Sequence, residues 1–103
     1  MGSASFIVID LQTDRILKQL KDGGPEVAAA FFQSLKKIHS FTSLAQLNQD
    51  HGLRWEKLED KVFPGTKMPV YSYRITGNWR ALCALHKGPV IEIVAVFNHD
   101  SAY

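Results

Sequence analysis

The chain has 103 residues, enough for one compact domain (1–103) and too few for two. An apolar fraction of 46 % excludes wholesale disorder, and no uncharged apolar run approaches the roughly 18–20 residues of a membrane span. The net charge of +2 hides a polarised pattern: Lys61 to Ile91 holds five of the 12 cations (Lys61, Lys67, Arg74, Arg80, Lys87), His86 and no acid, while seven cations and all ten acids lie elsewhere.

"SFIVID" (Ser5–Asp10) is short, β-branched and apolar on both faces, which predicts a buried strand. In "LQTDRILKQLKDGG", Ile16, Leu17 and Leu20 form a helical stripe, Thr13 is a candidate cap, and Gly23-Gly24 is a stop. Pro25 suits the first position of a second helix, with Glu26 in its first turn. Val27, Phe31, Leu35 and Ile38 share one face of it, and Lys36 and Lys37 sit near its end, where the helix dipole favours cations. Phe31 and Phe32 read as core residues. "TSLAQLNQDHG" predicts a shorter helix with a Ser43/Gln46 capping box and a stop at Gly52.

"LRWEKLED" alternates through Leu53 and Trp55, as a strand or an extended lead-in would, and "FPGTKMP" is a loop. Three strand-like runs follow, about Val70–Thr76, Trp79–Leu85 and Val90–Phe97. Their links, Gly77-Asn78 and "HKGP", are short enough for hairpins. The order is a strand, helices, then an antiparallel meander: an α+β domain with helices on one sheet face and the other face open for function.

Arg74 and Arg80 flank the first hairpin link. A two-residue loop, Gly77-Asn78, would pair Ile75 with Arg80 and gather Tyr71, Tyr73 and Arg80 on one face. A three-residue loop, Thr76–Asn78, would pair Arg74 with Arg80 instead; the residues leave both open. Arginine suits bidentate phosphate contact, though it also pairs with helix carboxylates or snorkels at a sheet rim. An acid-free window is a footprint for phosphate-bearing partners, and it is also what strands produce by disfavouring Asp and Glu.

His99 lies just past a strand end, where a histidine can move protons near neutral pH. Tyr103 is suited to stacking on a base or donating a proton. Glu56 is a carboxylate that would act as a general base if it faced the arginines. Cys83 reads as a small buried hydrophobe. His39, His51 and His86 have no ligand-like spacing, so neither a metal nor another cofactor is expected. The start "MGSASF" has no basic region leading into a long apolar one, so a cytoplasmic protein without a membrane partner is expected.

"YSYRITGNWRAL" followed by "VIEIVAVFNHDSAY" resembles the RelE/ParE superfamily of bacterial toxin–antitoxin toxins, with its R-I-(T/N)-x-x-x-R hairpin and a third strand ending near a His or Arg. The preceding "GLRWEKLED" is similar to the family's extended lead-in, so the resemblance covers about Leu53–Tyr103. It implies a RelE-like fold, an N-terminal strand and two to three helices packed on one face of a curved antiparallel sheet, and an antitoxin protein as partner. It also implies one of two activities. RelE-like and YoeB-like members are metal-independent ribonucleases that cut mRNA on the ribosome; ParE-like members poison DNA gyrase. An inactive interaction module of the same fold is a third outcome.

Position by position, the resemblance gives Arg80 and Arg74 as phosphate-contacting arginines, Glu56 as the general base, and His99 or Tyr103 as the general acid. Tyr71 and Tyr73 stand where RelE-like members place lysines, which points toward the Glu/His version. Lys57, Lys67, Tyr71, Tyr73 and Lys87 are the expected RNA contacts. The chemistry implied is attack of an RNA 2′-OH on the adjacent phosphate, which needs a base, cations for the phosphorane and an acid for the leaving oxygen.

Overall fold

Strand β1 (Val8–Leu11) lies at one edge of a five-stranded sheet and pairs in parallel with the last strand, β5 (Val90–Asn98). This computed structural model describes residues 7–62, 68–87 and 89–98. The expected N-terminal strand is therefore present but is not buried on both faces. Ile9 and Leu11 pack toward the core, while Val8, on the opposite face, is 55 % exposed. Ser5 and Phe6 fall outside the described residues.

Helix α1 (Thr13–Ser40) follows at once, broken at Gly24, whose φ of 84° and ψ of 178° are not helical. The Gly-Gly stop and the Pro25 restart thus join two helical segments at a kink. Thr13 is not the cap: Gln12 holds that position without a side-chain bond, and the Thr13 hydroxyl donates back to the Leu11 carbonyl at 3.4 Å. Ile16, Leu20, Val27, Phe31 and Ile38 are buried. The position expected for Leu35 on this stripe is filled by Ser34, and Leu35 is only partly buried. The reason lies across the core, where Tyr73 needs a partner for its hydroxyl: Ser34 Oγ and Tyr73 Oη lie 2.8 Å apart. Phe32 is not core either; it is 47 % exposed and meets Phe31 edge-on.

Helix α2 (Leu44–Gln49) is capped by the Ser43 hydroxyl, which accepts from Gln46 N at 3.4 Å. The Gln46 side chain closes back on Thr42 N at 2.6 Å. The helix ends at Asp50, before Gly52. Asp50 then accepts from Lys37 Nζ and from Leu53 N, tying α1 to the turn that leads into the sheet.

The lead-in is a strand, β2 (Glu56–Val62), antiparallel to β3 (Pro69–Arg74) at the far edge. β3 pairs with β4 (Trp79–His86), and β4 with β5, giving the order β1-β5-β4-β3-β2. The C-terminal meander is antiparallel as expected; β1 makes the whole sheet mixed. Between Leu82 and Cys83 the register slips by one residue of β5. Just past that irregularity, Gln19 of α1 accepts a hydrogen bond from Val96 N at 2.8 Å.

α1 covers one face of this sheet, where its buried stripe meets Tyr73, Ala81, Cys83, Ile91, Ile93 and Val96. Cys83 is fully buried, and burial pushes its thiol pKa up, which keeps it protonated. No helix among the described residues is long and apolar enough to cross a membrane.

Candidate functional site on the sheet face opposite the helix

The hairpin register decides the site. Arg74 pairs directly with Arg80, Tyr73 with Ala81, and Tyr71 with Cys83. Ile75 N donates to the Trp79 carbonyl at 2.8 Å, so the loop is Thr76-Gly77-Asn78, the three-residue alternative. The Thr76 hydroxyl accepts from Trp79 N at 3.2 Å and fastens that turn. Side chains alternate between faces along a strand, and paired residues share one. Tyr71, Tyr73, Ala81 and Cys83 therefore face α1, and Arg74 and Arg80 face away from it.

The same reasoning places Glu56 with the arginines. Glu56 pairs with Ser72, Ser72 with Leu82, and Leu82 with Ala95. The next row along the strands is Arg74, Arg80 and Phe97. With strands about 4.8 Å apart and a two-residue step of about 7 Å, Glu56 and Arg80 are about 12 Å apart at the backbone. Their side chains can thus flank a group the size of a phosphodiester.

Arg74 Nε donates to the Thr76 carbonyl at 3.3 Å, which aims its guanidinium along the turn. Neither arginine has a carboxylate partner among the described residues, so the helix-carboxylate explanation of the two charges fails. Trp79, beside Arg80, pairs with Asn98, and the chain leaves β5 at that point. His99, Tyr103 and Lys67 lie outside the described residues.

The expected RNA contacts fare differently. Tyr73 is fully buried with its hydroxyl on Ser34, and that expectation is corrected: a ring packed in the core offers no face to a base. Burial also drives its pKa upward, so it stays neutral. Tyr71 is on the helix side, stacked on Trp55 with ring centroids 5.1 Å apart. Lys57 is exposed but pairs with Tyr71, on the face opposite the arginines. Lys87 is exposed at the other end of β4, about 23 Å from Arg80 along the strand. Of the expected site, the structure brings together Glu56, Arg74 and Arg80 and separates them from both tyrosines, Lys57 and Lys87.

Sequence reasoning missed Phe97 and Ser72, which share the arginine and glutamate rows. Once the β3–β4 loop length is known, period-two alternation would have found Ser72. Phe97 needed the β4–β5 register, which the bulge obscures.

At the far end of this face, His86 Nε2 lies 3.0 Å from Glu92 Oε1, and Gln12 Nε2 donates to Glu92 Oε2 at 2.7 Å. These contacts, His86 first, hold the Glu92 carboxyl below its ordinary pKa. Among the described residues no three His, Cys, Asp or Glu side chains gather into a metal site.

A kinked N-terminal helix on one face of a five-stranded mixed sheet is a RelE-like fold. Two solved structures share it. One is a chain of the archaeal RelE–RelB complex from Pyrococcus horikoshii OT3, with a TM-score of 0.66 and 17 % identity over 94 % of this chain and 99 % of that one. The other is a copper-bound mutant toxin from Helicobacter pylori, with a TM-score of 0.54 and 14 % identity over 94 % and 99 %. No family model matches the sequence, and no curated protein matches it.

Proposed function

We propose that this chain is the toxin of a toxin–antitoxin pair and that it cleaves mRNA on the ribosome, in the cytoplasm, without a metal ion. The observation that carries this reading is the direct pairing of Arg74 with Arg80 on the sheet face turned away from α1, in a row next to Glu56 and without a carboxylate partner among the described residues. Two guanidiniums at one place are suited to a phosphate and to the extra charge of a phosphorane. Glu56 takes the 2′-OH proton, the oxygen attacks the adjacent phosphorus, and the arginines hold the added charge. His99 or Tyr103, which follow β5 in the sequence, protonates the departing 5′-oxygen. The antitoxin partner is supported by the RelE–RelB complex among the similar structures and is expected to cover the cationic face.

The test is induction of the chain in a bacterium with mapping of mRNA ends on translating ribosomes. Codon-phased cuts are expected, and Arg80→Ala is expected to reduce them about 100-fold or more, the usual cost of removing a charge-stabilising donor. Growth arrest with DNA damage and intact mRNA would replace this reading with gyrase poisoning. Absence of toxicity would leave an inactive interaction module.

A further inference from the structure

Ser72 is 1 % exposed, and its Oγ has no hydrogen-bond partner among the described residues. The other buried serine, Ser34, is bonded to both the Phe31 carbonyl and the Tyr73 hydroxyl. A buried hydroxyl left unpaired is unfavourable, and native proteins rarely keep one without a use. Ser72 lies on the face turned away from α1, in the centre of the candidate site.

Its neighbours there narrow the use. Leu82 is opposite on β4, and Val70 and Arg74 flank it two residues away on β3. None of these side chains carries an acceptor. Across β2 stands Glu56, exposed and without an ion pair or hydrogen bond among the described residues. Directly paired residues have Cβ atoms about 4.5–5.5 Å apart, so a change of rotamer brings the carboxylate onto the hydroxyl without moving backbone.

We infer that Ser72 is a positioning residue for Glu56: when the carboxylate turns in from solvent, the Ser72 hydroxyl donates to one of its oxygens and fixes the other toward the arginine row. The inference rests on the reading of this face as the ribonuclease site, with Glu56 as its base. Among the described residues, the other charges on this face near Glu56 are Arg74 from β3 and Arg80 from β4; β5 contributes Ala95 and Phe97 there, and Arg54 and Lys57 flank Glu56 along the chain.

The experiment reads the carbon-13 resonance of the Glu56 side-chain carboxylate at neutral pH in the intact protein and in S72A and S72T. A donated hydrogen bond shifts a carboxylate resonance, so S72A is expected to move it and S72T to return it. An unchanged resonance in S72A overturns the inference, even if cleavage falls. A moved resonance in a protein whose E56Q variant cleaves normally supports the pairing and overturns the assignment of Glu56 as base.

Discussion

Tyr73 shows how a single residue can be assigned to the wrong layer. In the string "YSYR" it reads as a ring beside an arginine on a working surface. In the fold it is a core residue whose hydroxyl is satisfied by Ser34, and Ser34 is buried for that reason. Tyr73→Phe removes one buried hydrogen bond and leaves Ser34 still donating to Phe31. The variant is expected to lose about 1 kcal/mol, read as a lower urea midpoint at unchanged slope, with RNA cleavage unaffected. A cleavage defect at full stability would return Tyr73 to the site. By contrast, Arg74 and Arg80 stood out in the sequence as two arginines in an acid-free stretch. What could not be read was their mutual position.

Among the elements, the α1 kink and the β3–β4 turn carry the most information. Gly24 has φ 84° and ψ 178°, a region that side-chain-bearing residues essentially do not enter. No atom lies within 4 Å of where a Cβ would sit, so the cost of Gly24→Ala is backbone strain alone. A loss of about 1–3 kcal/mol is expected by thermal or urea unfolding, with no change in the hairpin. Stability equal to the parent protein would mean that the kink is not fixed. The Gly-Gly-Pro signal made this break readable, because it is encoded within three adjacent residues. The turn was not readable to the same degree. Two-residue and three-residue loops are both compatible with "ITGNW", and the choice depends on whether Trp79 pairs with Ile75 and so lands on the helix side. Packing of Trp79 against the core decides it.

In the molecule as a whole, two carboxylates are tied to distant elements, and both have depressed pKa values. Asp50 is held below its ordinary value chiefly by the hydrogen bond from Lys37, and Glu92 chiefly by the one from His86. A carboxyl whose pKa is lower folded than unfolded stabilises the fold above its unfolded pKa. That stability is lost as pH falls through the folded value. Both contributions are therefore expected at neutral pH and are expected to disappear below about pH 4. The partners are partly exposed, at 46 % for Lys37 and 39 % for His86, so each is screened and worth at most about 1 kcal/mol. Asp50→Asn is expected to lower stability at pH 7 by that amount and to flatten its decline between about pH 5 and pH 2, measured by urea unfolding at several pH values. A decline as steep as that of the parent protein would exclude Asp50 as a contributor.

The order of elements, the break at Gly23-Gly24, the Ser43 cap and the segregation of charge were determined by sequence alone, because each depends on residues within a turn or two of one another. The N-terminal strand was legible as a strand but not as an edge. Its partner, β5, lies about 80 residues away, and nothing local to "SFIVID" records that pairing. Tertiary structure alone decided that Arg74 and Arg80 face each other, that Glu56 shares their face with Ser72 directly opposite it, and that both tyrosines turn inward. A strand has two faces, and a shift of one residue exchanges them. Which face is buried depends on what a distant helix covers, and that is a property of the assembled core.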